Sequence, residues 1–406
     1  MLCLQKLRYL PQKPKQLPFL DFTERFLDAD IGYVLNYTSN IITVTQNGTR
    51  YFFKEAKEKQ GSLRACIQRG VDDFFCDIVH NPSLREMVLT SLQKRSNLRR
   101  LVNMGYKNVR TSRFNRYLIS GDESCLGLPS PSSPEEKQQL RKLIFYLYGE
   151  LQNWFYNARV RPGELQTFSA VRALGVRELA RMLSVEELIV HCDFVKVKLG
   201  GRVRYGILSE EAEGDTLLDC PPEQRARLSS PELLRSLTNL NLLDTVSGDN
   251  DHRIGNYHVL TDEAGKYSDV LSYDNDSPAT FGLSPSIRFK NVIGCSSFIR
   301  GCGTLNRAHL DKTAAEALLG IKRSELGALA PYLTPIQRFF LWSRISRVKR
   351  AISKTLRSRG DLLAKRNEWS AEHMKRDLSG KYGKTYLASL LSDCYYETGM
   401  HDFDTL

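Results

Sequence analysis

From Ser229 to Asp276 the sequence passes through a leucine-rich helix, a polar loop, two short apolar strands and an acidic turn, and this succession limits the fold more than any other stretch. SSPELLRSLTNLNLLDTV carries leucines at helical spacing and places Ser229 and Glu232 as a capping box. The loop SGDNDHRIGN follows, then the strand YHVL, the turn TDEAGK and the returning strand VLSYDND. A helix that feeds a hairpin through such a loop belongs to an α+β fold. The same succession gathers oxygen-bearing side chains. Asp251 and Asn256 lie on the loop, and the returning strand would deliver Asp274 to the same place from the opposite side. Phosphoryl transfer needs such a set: a carboxylate to orient and deprotonate an acceptor hydroxyl, and oxygen ligands for Mg2+. Asp251 is then the candidate acid/base, and Asn256 and Asp274 are the candidate metal ligands. The bland alternative makes DNDHRIGN a solvated loop and YDND a cluster of turn residues.

Composition allows such an enzyme without demanding it. In 406 residues, 41% hydrophobic and 10% aromatic content supply enough apolar side chains for more than one core. The formal net charge of +12 favours anionic partners, whether nucleotide phosphates, nucleic acid, acidic lipid or an acidic peptide. The nine cysteines are scattered and form no C-x-x-C pair, which argues against a zinc ribbon and for reduced thiols. The N-terminus MLCLQKLRYLPQKPK has no secretory character, and no stretch reaches the roughly 20 apolar residues of a membrane span. A cytoplasmic address is the expectation.

Along the chain, residues 31–56 read as β-structure, with ITVT and TRYFFKEA flanking the hairpin dipeptide Asn47-Gly48. Residues 61–165 form a helical, basic insertion that includes Arg99, Arg100, Lys107, Arg110, Arg113 and Arg116, with a Ser/Pro/Gly-rich linker near 120–134. Ser133, Pro134 and Glu136 start a helix beyond it as cap, first residue and capping-box partner. A second helix spans 167–183, and VHCDFVKVKL and RVRYGILSEEAEG make a strand pair joined by Gly200-Gly201. Near the C-terminus, Thr334-Pro335-x-Gln337 opens a basic amphipathic helix. Phe340, Ile345, Val348, Ile352 and Leu356 share one side, while Arg344, Arg347, Lys349, Arg350, Lys354 and Arg357 largely occupy the rest. That helix packs on its neighbours and solvates its cations, or it offers them to an anionic partner.

DNDHRIGN resembles the catalytic loop of atypical kinases: HipA-type kinases, phosphatidylinositol 3- and 4-kinases, actin-fragmin kinase and secretory-pathway kinases. Protein-kinase folds set the catalytic Asp five positions before the metal-binding Asn, as Asp251 and Asn256 are set. Tyr273-Asp274-Asn275 is similar to their metal-holding Asp-Asn-Gly, although Asp276 stands where they often carry Gly. YTSNIITVTQNGTRYFFKEAKEK resembles their phosphate turn, hairpin and lysine strand, without a glycine in the turn. The resemblance covers 31–57 and 167–282 and implies further roles. Thr38, Ser39 and Asn40 would approach the phosphates, Lys54 would contact them, and Glu178 would pair with Lys54. His252 would support the catalytic loop, while Glu211, Ala212 and Glu213 would offer backbone groups to adenine.

The expected fold is therefore α+β and two-lobed, of protein-kinase-like type, with a helical insertion and a helical C-terminal extension. Residues 1–60 and 166–215 would form the small lobe and 216–406 the helical lobe, with the catalytic loop at 247–260 and the metal motif at 273–276. The expected activity is transfer of the ATP γ-phosphoryl group, with Mg2+ or Mn2+, to a hydroxyl on a protein or peptide. The same fold also serves AMP transfer, carboxylate activation or a catalytically silent scaffold. A nucleic-acid-binding protein acting through the basic C-terminal helix is the remaining alternative.

Overall fold

The computed structural model describes residues 19–26, 28–35, 40–56, 62–77, 81–106, 123–157, 160, 164–168, 170–212, 214–216, 231–248, 256–261, 267–273, 309–358 and 360–370. Its sheet begins at β1 (Leu20–Phe22), β2 (Asp30–Leu35), β3 (Asn40–Gln46) and β4 (Thr49–Glu55). The turn between β3 and β4 holds Asn47 and Gly48 at φ of 53° and 79°. These left-handed values are what a type I′ hairpin requires, and Asn-Gly is the pair that tolerates them best. β5 (Cys192–Leu199) and β6 (Arg202–Glu210) are joined the same way, with Gly200 and Gly201 at 56° and 77°. Strand β6 pairs antiparallel with β4, and β1 adds parallel to β5, giving the order β1-β5-β6-β4-β3-β2. Side-chain alternation divides this mixed sheet into two buried faces. Ile42, Val44, Phe53, Val195, Val197 and Leu208 fill one, while Phe194 and Ile207 point to the other.

Between β4 and β5 the chain inserts helices α1 (Leu63–Asp77), α2 (Pro82–Gln93), α3 (Arg95–Tyr106) and α4 (Pro134–Asn157). They enclose an apolar core of their own, built from residues such as Val71, Phe74, Leu84, Val88, Leu101, Leu140 and Leu147. Helix α4 starts where the sequence predicts. Ser133 Oγ accepts the Glu136 N–H at 3.1 Å, but the Glu136 carboxylate takes the Ser132 N–H at 2.7 Å instead of that of Ser133. The cap is therefore reciprocal across one extra residue.

Helix α5 (Val171–Met182) follows, shorter than the predicted 167–183 because Leu165–Thr167 form a separate 3-10 turn. Its first turn packs with the sheet face that holds Phe194 and Ile207, through Ala170 and Val171. Its later turns join the largest core. That core gathers α6 (Pro231–Ser247), the hairpin β8 (Tyr257–Thr261) and β9 (Tyr267–Ser272), α7 (Lys312–Gly320) and α8 (Pro335–Ser358). Strand β7 (Asp215–Thr216) pairs with β8, and β10 (Leu310–Asp311) pairs with β11 (Leu363–Ala364). The architecture is α+β.

Helix α8 opens with Thr334 and Gln337 capping each other: Thr334 N–H donates to Gln337 Oε1 at 2.9 Å, and Gln337 N–H donates to Thr334 Oγ1 at 3.2 Å. Phe340, Ile345, Val348 and Ile352 are buried as the periodicity predicts, and Leu356 is half-buried. Arg344, expected on the polar side, is 3% exposed. Among the described residues no helix is long and apolar enough to cross a membrane.

Candidate functional site

Helix α6 ends at Ser247, four residues before Asp251 in the sequence. Gly248 terminates it at φ 76°, donating its N–H to the Asp244 carbonyl at 2.7 Å. A helix end leaves carbonyls without intrahelical partners and concentrates negative charge there. The Arg344 guanidinium, reaching across from α8, donates from Nη1 to the Ser247 carbonyl at 2.7 Å. A Cβ on residue 248 would lie 1.6 Å from that Nη1, so only glycine fits between helix end and guanidinium. Asp251 and His252 lie in the segment 249–255, outside the described residues.

The chain is described again from Asn256, where the predicted hairpin begins. Tyr257 donates its hydroxyl to Asp244 Oδ2 at 3.4 Å, so the residues flanking both sides of the loop are tied to one turn of α6. Strands β8 and β9 pair Tyr257 with Ser272, and the Tyr273 N–H donates to the Asn256 carbonyl at 2.8 Å. The backbone that leads toward Asp274 thus starts beside Asn256. Asp274 itself lies outside the described residues. Ser272 also receives the Val190 N–H at 3.1 Å, which ties the hairpin to the segment entering β5.

Lys54 stands opposite Ile207 in the β4–β6 pairing, and Ile207 stands opposite Phe194. Directly paired residues share a face, so half-buried Lys54 projects on the face packed against the start of α5. Helix α5 carries Glu178 at helical spacing from Val171 and Leu174. Glu178 nevertheless does not meet Lys54: its carboxylate accepts from Arg181 Nη1 at 2.7 Å. Arg181 also donates to Glu186, at 2.9 Å from Nε, and Arg177 joins the same glutamate at 3.2 Å. The expected Lys54 partner is held in this local network, one helical turn from its own base. Its carboxylate also helps burial push the Tyr332 hydroxyl above the usual phenol value.

Strand β6 leads into the predicted nucleobase segment. Glu211 is exposed; its N–H donates to the Arg50 carbonyl at 2.9 Å, and its carboxylate pairs with the Arg50 side chain at 3.0 Å. The Ala212 N–H donates to the Tyr273 hydroxyl at 2.7 Å. Of the three residues expected to face adenine, Glu211 and Ala212 therefore have their N–H groups engaged within the protein. Just beyond, Gly214 adopts φ 92° with a would-be Cβ only 2.2 Å from the Val259 carbonyl, so β7 approaches β8 where no other residue fits. Burial pushes the Tyr273 hydroxyl up to about 12, opposed by the Ala212 N–H and reinforced by the Glu211 carboxylate. The phenol ring lies 4.4 Å from the His258 ring, tilted by 48°. Thr38, Ser39 and Glu213 lie outside the described residues, and Asn40 is the first residue of β3.

The described contacts bring together the Lys54 strand, the 211–212 segment, Tyr273 and Asn256. Three contributors escaped the sequence reading: Arg344, Gly248 and the Tyr273 side chain. Arg344 did leave a signal, because it sits seven residues after Gln337 and four before Val348, on the buried stripe of α8. Tyr273 left none, since its partner is 61 residues away in sequence. Among the described residues no group of three or more His, Cys, Asp or Glu side chains is placed to hold a metal ion. No protein-family model matches the chain, and a search of curated proteins finds no match.

Proposed function

We propose that the chain is an ATP- and Mg2+-dependent phosphotransferase of atypical-kinase type, acting on a hydroxyl acceptor of a protein or peptide. One observation carries the reading: an unbroken line of backbone and side-chain contacts links the segments that the sequence singles out. Lys54 lies on β4, which pairs with β6. β6 runs into Glu211 and Ala212; Ala212 bonds Tyr273, and Tyr273 bonds Asn256.

In this reading Lys54 positions the ATP phosphates, and Asn256 and Asp274 are the Mg2+ ligands. The bound ion supplies charge neutralisation on the phosphates. Asp251 orients the acceptor hydroxyl and takes its proton as the oxygen forms a bond to the γ-phosphorus. The bond from that phosphorus to the bridging oxygen breaks, and ADP leaves with the electron pair. Labelled ATP with Mg2+ or Mn2+ and candidate acceptors tests the scheme. Asp251→Ala and Asp274→Ala should each lower transfer by on the order of 100-fold or more, as loss of an acid/base group or of phosphate charge stabilisation does. Full wild-type transfer by both variants would sink it.

The engaged hinge donor and the Glu178–Arg181 pair favour a second reading, a nucleotide-free interaction scaffold on the same fold. That scaffold shows neither turnover nor a rise in melting temperature with Mg2+-ATP.

A further inference from the structure

Resting on the nucleotide reading above, we propose that Tyr273 is an internal stand-in for the nucleobase: its hydroxyl occupies the Ala212 N–H, and a bound base must replace it there.

The observations are local and independent of one another. The phenol oxygen accepts the Ala212 N–H at 2.7 Å, the direct length expected for a backbone donor with a good acceptor. Adenine N1 is an acceptor of the same kind, so the two compete for one donor. The Tyr273 backbone is held separately, by its N–H on the Asn256 carbonyl at 2.8 Å. The side chain can therefore leave Ala212 while strand β9 stays in place. Its ring already lies on His258, at 4.4 Å between centroids, a contact that needs no hydroxyl. The exchange trades one hydrogen bond on the Ala212 N–H for another. The position in the chain adds a consequence. Tyr273 immediately precedes Asp274, so the residue that senses the base adjoins the proposed metal ligand.

Tyr273→Phe isolates the effect, since it deletes the competing oxygen and keeps the ring on His258. Titration calorimetry on the full chain should show adenosine, ADP and ATP binding roughly two- to tenfold more tightly to this variant, the range set by one neutral hydrogen bond. Tripolyphosphate, which lacks a base, should bind both proteins alike. Inosine should gain nothing, because its N1 carries a proton and does not accept. Equal or weaker adenosine binding by the variant would overturn the proposal and leave the nucleotide reading standing. If neither protein binds any adenine compound, both fail. A second measurement avoids reliance on a variant's folding: fluorotyrosine at position 273 in the otherwise unchanged chain should shift its 19F resonance on saturation with adenosine. A static resonance with adenosine bound refutes the exchange.

Discussion

Replacing Gly248 by alanine strikes the junction between α6 and the loop that carries Asp251, and the size of the effect follows from two terms. At φ 76° an alanine sits in left-handed backbone, which costs about 1–2 kcal/mol. Its methyl would also lie 1.6 Å from Arg344 Nη1 and 2.0 Å from Cζ. Those atoms belong to a buried guanidinium, so the side chain must withdraw and surrender its bond to the Ser247 carbonyl. A hydrogen bond to a charged group contributes about 1.5–3 kcal/mol. Together the terms predict a loss of roughly 2.5–5 kcal/mol, a large part of the 5–15 kcal/mol typical of a folded protein. Urea unfolding of wild type, Gly248→Ala, Arg344→Ala and the double variant would measure it. Once Arg344 is truncated the clash is gone, so the double variant should lose at least about 1 kcal/mol less than the sum of the singles. Strict additivity, or a Gly248→Ala penalty below about 1 kcal/mol, would refute the reasoning.

Two further outcomes follow from buried groups elsewhere. Asp311 is 3% exposed, pairs with Arg235 at 3.3 Å and caps α7 by accepting the Ala314 N–H at 3.1 Å. Asp311→Ala leaves Arg235 buried without that carboxylate and should cost on the order of 3–5 kcal/mol in chemical denaturation; a loss under about 1 kcal/mol contradicts the pairing. Burial pushes the Cys192 thiol up to about 12 from an ordinary value of 9.0. The folded thiol thus keeps its proton where the unfolded one ionises, so its contribution to stability is intact below about pH 9 and falls away as pH rises from there toward 12. Iodoacetamide at pH 8 should spare Cys192 in the native protein and label it in urea, and native labelling at the rate of half-buried Cys125 would disprove the burial.

What could be read from the sequence was local. Asn47-Gly48 and Gly200-Gly201 announced their turns because left-handed backbone admits few residue types, and both hairpins form there. Thr334 and Gln337 announced a helix start for the same kind of reason: cap and partner lie three residues apart. The helix at Pro231–Ser247 and the strand pair at Tyr257–Thr261 and Tyr267–Ser272 were legible in their alternating periods. Contacts between distant segments were not. Glu178 was assigned to Lys54 by position along the chain, whereas Arg181, three residues on in the same helix, holds it. The charge of Arg344 suggested a surface position, and nothing local reveals that a helix end 97 residues earlier needs a cation.

The bond from Arg344 to the Ser247 carbonyl changes the meaning of the basic C-terminal helix. Two of its cations serve the ends of other helices. Arg344 holds the last carbonyl of α6, and Lys349 donates through Nζ to the Leu319 carbonyl at 2.9 Å and to the Ile321 carbonyl at the end of α7. Lys349 accepts desolvation in doing so, which lowers its pKa from the ordinary lysine value, and its ammonium also lies 5.7 Å from the Trp342 ring centroid. Positive charge on α8 is therefore partly architectural, fixing the C-terminal ends of α6 and α7. Only the cations beyond that set remain for an anionic partner. Arg350, Lys354 and Arg357 are exposed along one side at spacings of four and three residues. Three cations on about two turns form a short electrostatic footprint.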